Sequence, residues 1–254
     1  MSSLNGQVAV VTGGAGGLGA AICQGLAQAG ATVVVGYNRS AEPARALADS
    51  LPKAAHAHAA LKAPVTDTIA LRKLAAEVEG RYGRCDLLVN CAGMTRFVAH
   101  PDLDSLEDAL FDEIMAINVR GTFAAVRALC KLLSAPREAG GSSLVVNISS
   151  IAAVTAMGSN IAYCASKAAV DNMTKSMARA LAPAIRVISV SPGLSDTEFV
   201  KSLDTVWRDE QADKTPLGRL TLPEEVAAAV VAAAAHLTFT TGAVIPVDGG
   251  RPLA

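Results

Sequence analysis

Between residues 13 and 19 the sequence reads Gly13-Gly14-Ala15-Gly16-Gly17-Leu18-Gly19, and what flanks this cluster leaves the chain few folds to choose from. A short apolar run, Val8-Ala9-Val10-Val11, leads into it through Thr12. A helical stretch, Ala20 to Ala29, leaves it and is closed by Gly30; a second apolar run, Ala31-Thr32-Val33-Val34-Val35-Gly36, follows. Strand, glycine turn, helix and strand in that order make the unit that binds dinucleotides in a parallel sheet. Glycine lets the main chain come close to a pyrophosphate, and the helix N-terminus offers free N–H groups and a positive dipole end. Three registers are open: Gly14, Gly16 and Gly19 as G-x-G-x-x-G; Gly13, Gly16 and Gly19 as T-G-x-x-G-x-x-G; or Gly13, Gly17 and Gly19 as T-G-x-x-x-G-x-G.

The end of the second strand bears on the type of cofactor. A carboxylate there would hold a ribose 2′-hydroxyl and favour NAD(H), whereas an arginine accommodates a 2′-phosphate. The residues present are Tyr37-Asn38-Arg39-Ser40. No carboxylate is there to repel a phosphate, and Asn38, Arg39 and Ser40 can all hydrogen-bond one. NADP(H) is therefore favoured, with NAD(H) possible.

Apolar and polar runs alternate along the rest of the chain. Helices are expected over Ala41–Leu51, Asp67–Tyr82, Leu106–Leu133 (with Gly121 as an interruption or a contact point), Ala162–Leu181 and Pro223–Ala235. Strands are expected over Ala54–Leu61, Cys85–Asn90, Ser142–Ile148, Ile185–Val190 and Ala243–Val247. Alternation of this kind predicts one α/β domain over residues 1–254: a doubly wound parallel sheet of about seven strands, a Rossmann fold, with helices on both faces. Asn90–Gly93, Ser149-Ser150 and Ser191-Pro192-Gly193 all fall at strand ends, where such sheets bind ligands, so they converge with the glycine turn on one crevice.

The net charge of −1 and the lack of a basic patch recommend neither nucleic acid nor an anionic membrane as partner. Met1 to Gly6 lacks the basic and apolar regions of a signal peptide, and no uninterrupted apolar run is long enough for a bilayer. Cys23, Cys85, Cys91, Cys130 and Cys164 are odd in number and scattered, as expected of reduced cytoplasmic thiols. His56 and His58 would share one face of the third strand, but no further ligands accompany them and no metal site is expected.

Tyr163 and Lys167 stand four residues apart on a predicted helix and so share a face. Such pairs are common and decide nothing alone. At the mouth of a dinucleotide crevice they matter, because a nearby ammonium favours the phenolate and suits a tyrosine to proton transfer.

Taken together, the chain resembles the short-chain dehydrogenase/reductase family over essentially its whole length, in its shorter oxidoreductase branch and in the manner of the 3-oxoacyl-carrier-protein reductases. The resemblance rests on Thr12-Gly13-x-x-x-Gly17-x-Gly19, Asn90-Cys91-Ala92-Gly93, Asn118 in Ile117-Asn118-Val119-Arg120-Gly121, Ser150 thirteen residues before Tyr163, Tyr163-x-x-x-Lys167, Pro192-Gly193 and Val247-Asp248-Gly249-Gly250. It implies hydride exchange between a nicotinamide cofactor and a small carbonyl or alcohol substrate. Tyr163 would be the general acid/base, Lys167 would tune it and hold the nicotinamide ribose, Ser150 would hydrogen-bond the reacting oxygen, and Asn118 would hold a water linking Lys167 to solvent. It also implies cofactor contacts from Gly13, Gly17, Leu18, Gly19, Asn38, Arg39, Ser40, Val65, Asn90, Ala92, Gly93, Tyr163, Lys167, Pro192, Gly193 and Thr197.

Three positions depart from the family pattern: Cys91 replaces the second Asn of Asn-Asn-Ala-Gly, Pro64 replaces an Asp near the adenine, and Ala153 replaces a glycine. Glu198 to Asp209 has Phe199, Leu203, Val206 and Trp207 at helix-like spacing, within a region, 194–217, that resembles a mobile substrate lid. No cluster of cations marks a charged substrate; Arg96, Arg208 and Arg219 are expected at the surface. The family is commonly tetrameric or dimeric, and Ala165, Ala168, Ala169, Met173 and Met177 suit either a helix-packed interface or a core face. The alternatives are an NAD-dependent alcohol dehydrogenase on the same fold and a catalytically silent NADP-binding sensor or scaffold. The longer epimerase/dehydratase branch is disfavoured by length.

Overall fold

The computed structural model describes residues 4–135 and 141–253. Of the stretch Met1 to Gly6, only Leu4, Asn5 and Gly6 are among them. Seven parallel strands form one sheet: β1 (Val8–Thr12), β2 (Thr32–Tyr37), β3 (Ala59–Lys62), β4 (Leu87–Asn90), β5 (Ser143–Ile148), β6 (Ile185–Pro192) and β7 (Val244–Val247). Their order is β3-β2-β1-β4-β5-β6-β7. The order reverses between β1 and β4, and a crevice opens at the carboxyl ends of strands on either side of such a reversal.

Helices alternate with the strands: α1 (Gly17–Gln28), α2 (Ala41–Ser50), α3 (Thr68–Tyr82), α4 (Asp108–Met115), α5 (Thr122–Leu133), α6 (Ala152–Thr155), α7 (Ile161–Leu181), α8 (Glu198–Lys201), α9 (Thr205–Asp213) and α10 (Pro223–Ala235). Period-two alternation divides the strand side chains between two cores. Ala9, Val11, Val33, Val35, Leu87 and Val89 meet Ile22 and Leu26 of α1 and Val226 and Val230 of α10 on one face. Val8, Val10, Val34 and Leu88 meet Leu71 and Leu74 of α3 and Leu129 and Leu133 of α5 on the other. Both faces are covered, so the strands read as continuous apolar runs rather than alternating ones.

Three expectations need correction. The third strand is shorter than Ala54–Leu61, because side chains rather than a ladder hold the segment before it. His58 Nδ1 accepts from the Val33 amide at 2.9 Å, its Nε2 lies 2.8 Å from the Pro52 carbonyl, and the His56 amide donates to Thr32 Oγ1. His56 and His58 therefore sit in a loop, not on a strand face; His56 packs edge-on against Tyr82. The long helix 106–133 is split by a π-turn over Ala116–Gly121. Gly121, which closes that turn, is also a contact point: a Cβ there would lie 2.7 Å from Val65 Cγ2. Finally, the 198–209 segment is two short helices, α8 and α9, instead of one. Val206 is exposed, Leu203 and Trp207 are half-buried, and the side chain of Phe199 lies outside what the structure describes.

No described helix is long and apolar enough to cross a membrane. Among the described residues no group of three or more His, Cys, Asp or Glu side chains could hold a metal ion. The five cysteines are free thiols.

Leu129 is wholly buried between α5 and the sheet. Leu129→Ala is expected to lower unfolding stability by about 3 kcal/mol, from the lost apolar burial plus the cavity left behind, as measured by urea denaturation.

Candidate active site

The glycine turn is fixed first by its own geometry. Gly13 has φ +65°, and a Cβ on it would lie 2.9 Å from Ala92 Cα. A Cβ on Gly19 would strike the Gly13 carbonyl oxygen, and one on Gly17 would lie 3.0 Å from Thr197 Cγ2. At Gly16 the nearest atom would be 3.4 Å away, an ordinary contact. The structure thus selects the register Gly13, Gly17, Gly19. Helix α1 starts in this turn with no side-chain cap and no acidic residue in its first turn. Its leading N–H groups and positive end face an exposed Gly16-Gly17, which suits an anion. A dinucleotide pyrophosphate fits this cradle: the leading N–H groups have no side-chain cap, and Gly16 and Gly17 put no side chain over them.

The same contacts carry the turn across to the other strand ends. Thr12 Oγ1, at the end of β1, accepts from the amides of Cys91 and Ala92, each at 3.2 Å. The next residue, Gly93, faces the catalytic candidates: a Cβ there would lie 3.4 Å from Asn118 Oδ1 and 3.8 Å from Lys167 Nζ. Lys167 is buried; its ammonium donates to the Ile148 carbonyl at 2.8 Å and lies 5.6 Å from the centre of the Tyr163 ring. The two side chains therefore share a helix face, and the Lys167 ammonium lies against the residues that follow β4.

Tyr163 is placed by the start of α7. Asn160 caps that helix by accepting from the Tyr163 amide at 2.7 Å, while its Nδ2 donates to the Arg96 carbonyl at 2.7 Å and to Thr95 Oγ1. Ser150 lies just past β5, and its Oγ accepts from the Ala152 amide at 3.2 Å. Gly158 joins the two neighbourhoods, since a Cβ on it would be 3.1 Å from both Ala152 Cβ and Tyr163 Cδ1. Asn118 sits in the π-turn with its amide fully engaged: Oδ1 accepts from the Met94 amide at 2.9 Å, and Nδ2 donates to the Met94 carbonyl and to Ser166 Oγ, both at 3.0 Å.

Behind these groups runs a buried polar chain. Asn90 Nδ2 donates to Asn147 Oδ1 at 2.9 Å, Asn147 Nδ2 to Thr174 Oγ1 at 2.7 Å, and Thr174 Oγ1 lies 2.9 Å from Ser189 Oγ. It ties β4, β5 and β6 to α7. Asn90 is thus chiefly a sheet residue; its Oδ1 is buried and has no partner among the described residues. Cys91, beside it, has a thiol pushed up to about 11 by burial, against the pull of the Lys167 ammonium.

The remaining candidates divide by position. Asn38, Arg39 and Ser40 are exposed past β2; Pro192 ends β6, Gly193 and Thr197 come after it, and Gly193 packs against Asp248. Leu18 is half-buried on α1, against the core. Val65 is buried against the π-turn, so only its main chain is open to a cofactor. Pro64 is buried, and its carbonyl starts the turn into α3 by accepting from the Asp67 amide. Ala153 is half-buried in α6.

The sequence reading passed over Lys62. It is exposed and pairs in register with Tyr37, one residue before Asn38, so a second cation stands at the Arg39 end of the sheet. Only the strand register reveals it. Of the three arginines expected at the surface, Arg219 is held by both oxygens of Glu225, Arg96 donates weakly to the Ser105 carbonyl, and Arg208 is largely buried in an ion pair with Asp196.

Comparison with known proteins identifies the family. The family model described as short chain dehydrogenase matches residues 7–206. D-threitol dehydrogenase of Mycolicibacterium smegmatis is 38% identical over 250 residues, covering 97% of this chain and 93% of that protein. The 3-oxoacyl-(acyl-carrier-protein) reductase FabG of Thermotoga maritima is 34% identical over 253 residues, covering 97% and 98%. Among solved structures, the Pseudomonas aeruginosa RhlG/NADP active-site complex superposes with a TM-score of 0.90 at 33% identity, covering 98% of each chain. With its seven-stranded parallel sheet, its glycine turn and these relatives, the chain belongs to the short-chain dehydrogenase/reductase family of NAD(P)-dependent oxidoreductases.

Proposed function

We propose that the protein is an NADP(H)-preferring oxidoreductase that interconverts an uncharged ketone or aldehyde with its alcohol, with Tyr163 as general acid/base. The observation that carries this reading is the placing of Lys167, whose ammonium lies 5.6 Å from the Tyr163 ring, against Gly93, whose neighbour Ala92 touches the glycine turn at Gly13. Gly13, Gly17, Leu18 and Gly19 would hold the pyrophosphate, and the main chain of Val65, Asn90, Ala92 and Gly93 would line the adenosine and ribose. Pro192, Gly193 and Thr197 would border the nicotinamide. The bound cofactor supplies or takes up the hydride.

The chain's own residues handle the oxygen and its proton. Tyr163 gives a proton to the carbonyl oxygen in reduction and removes it in oxidation. Ser150 donates to that oxygen as charge develops there. Lys167, anchored on the Ile148 carbonyl, brings a positive charge within reach of the tyrosine ring and holds the ribose. Because the amide of Asn118 is engaged with Met94 and Ser166, a water leading from Lys167 to solvent would be held by the main chain of the π-turn.

Preference for NADP(H) over NAD(H) is supported by Arg39 and Lys62 at one end of the sheet with no carboxylate among residues 37–40. An uncharged substrate is supported by the engagement of Arg208 and Arg219 with Asp196 and Glu225. Residues 194–217 would serve as the lid. Five free thiols suit a reducing compartment such as the cytoplasm. A homotetramer or homodimer is supported by α7, which leaves Ala165 and Ala168 exposed while Met177 enters the core, and by partly exposed Phe111 and Phe123 on α4 and α5.

Tyr163→Phe is expected to bind NADPH as the parent does and to lose turnover by roughly a hundredfold or more, in a spectrophotometric assay against a panel of ketones. Turnover at the parent rate would remove Tyr163 from the chemistry. Arg39→Ala is expected to weaken NADPH roughly tenfold and to leave NADH within about twofold, as loss of a charge-assisted phosphate contact requires. Equal weakening of both nucleotides would take Arg39 out of phosphate recognition.

A further inference from the structure

Helix α9 is weakly held. None of its residues is buried, and only Trp207, Arg208, Gln211 and Ala212 are half-buried within it. Little apolar area keeps it in place, so its polar tethers decide its position. Gln211 Oε1 accepts from Arg251 Nη2 at 3.4 Å, and the shorter, charged tether is Arg208. Its Nη2 donates to Asp196 Oδ1 at 2.9 Å, with only 22% of the arginine side chain and 25% of the aspartate side chain exposed.

Asp196 belongs to the segment that follows β6. Its amide donates to the Thr221 carbonyl at 2.8 Å, and Ser195 bridges to Thr221, so the backbone there is fixed on the α10 side. The next residue, Thr197, packs its methyl against Gly17 of the glycine turn. Arg208 is therefore two short steps from the pyrophosphate cradle: across the ion pair to Asp196, and along one peptide to Thr197.

The pair is also incomplete. It is end-on, through one nitrogen, and Arg208 Nε is buried with no hydrogen-bond partner among the described residues. A buried N–H without an acceptor is unfavourable, and a carboxylate can accept from Nε and Nη2 of one guanidinium side by side. A small turn of α9 toward Asp196 would satisfy both. A second arrangement, closer to the cofactor segment, would be better hydrogen-bonded.

We propose that Arg208 and Asp196 are positioning residues that latch α9 to the Thr197 segment, so that a dinucleotide held by Gly17 and Thr197 draws the helix down over the crevice. This rests on the cofactor reading given above. Lysine cannot make the side-on pair, so the latch requires arginine for its shape as well as its charge. Docking of α9 and cofactor binding then favour each other, as reciprocal coupling demands.

The test is hydrogen–deuterium exchange of the 205–213 segment in the whole protein, with and without saturating NADPH. It compares the parent with Arg208→Gln, Arg208→Lys and Asp196→Asn, each first shown to melt within a few degrees of the parent. In the parent, NADPH should slow exchange there roughly tenfold. In all three variants NADPH should still bind by fluorescence titration, but the slowing should be lost, and the KM for a carbonyl substrate should rise more than kcat falls. Undiminished slowing in Arg208→Gln or Asp196→Asn would overturn the latch, and undiminished slowing in Arg208→Lys would overturn the side-on pairing. Tight NADPH binding to the parent with no slowing would overturn the coupling while leaving the cofactor reading intact. Failure of the parent to bind NADPH would overturn both.

Discussion

Everything at the candidate site depends on how closely the main chain at Gly13 approaches the end of β4. With 2.9 Å between Ala92 Cα and the place where a Cβ would sit, only glycine permits the contact. Thr12 seals it from the other side, its hydroxyl accepting from two consecutive amides across 79 and 80 residues of chain. Two strands adjacent in the sheet but distant in sequence are thereby joined at their tips. The consequence is chemical: the cradle at the N-terminus of α1 is set at a fixed distance from Gly93, and so from Lys167 and Tyr163. Move the glycine turn and the proposed proton-transfer groups no longer face the same crevice.

A second constraint holds the other half. Helix α7 carries both Tyr163 and Lys167, and it is registered to the sheet by polar contacts as well as apolar ones. Apolar packing alone would tolerate small slides of a helix along a sheet. The Asn90–Asn147–Thr174–Ser189 chain does not, because sliding would leave buried donors and acceptors unpaired. Asn160 fixes the start of the helix and Ile148 receives the Lys167 ammonium. Rigid elements thus set the proposed reacting groups, while α9 has no buried residue to hold it.

Much of this was legible in the residues. The alternation of apolar strands and helices gave the sheet, and α10 was bounded correctly at Pro223 and Ala235 because proline at a first helical position and an unbroken alanine run are local signals. Other features are tertiary and left no local trace. The π-turn at Asn118 is held by Met94, Ser166 and Val65, none of them near in sequence. His56 and His58 alternate as strand residues do, yet bonds to Val33, Pro52 and Thr32 pull them into a loop. Lys62 gains meaning only from its register with Tyr37, and Arg208 only from Asp196. Charge on a helix ordinarily reads as solvated surface, and nothing in the order of residues tells a buried ion pair from an exposed one.

The most direct test of the account is titration of the purified protein with NADPH and with NADH, followed by nicotinamide fluorescence. A glycine cradle flanked by Arg39 and Lys62 predicts saturable binding of one NADPH per chain, roughly tenfold or more tighter than NADH. No saturable binding of either nucleotide would contradict the cradle itself, and tighter binding of NADH would contradict the reading of Tyr37 to Ser40.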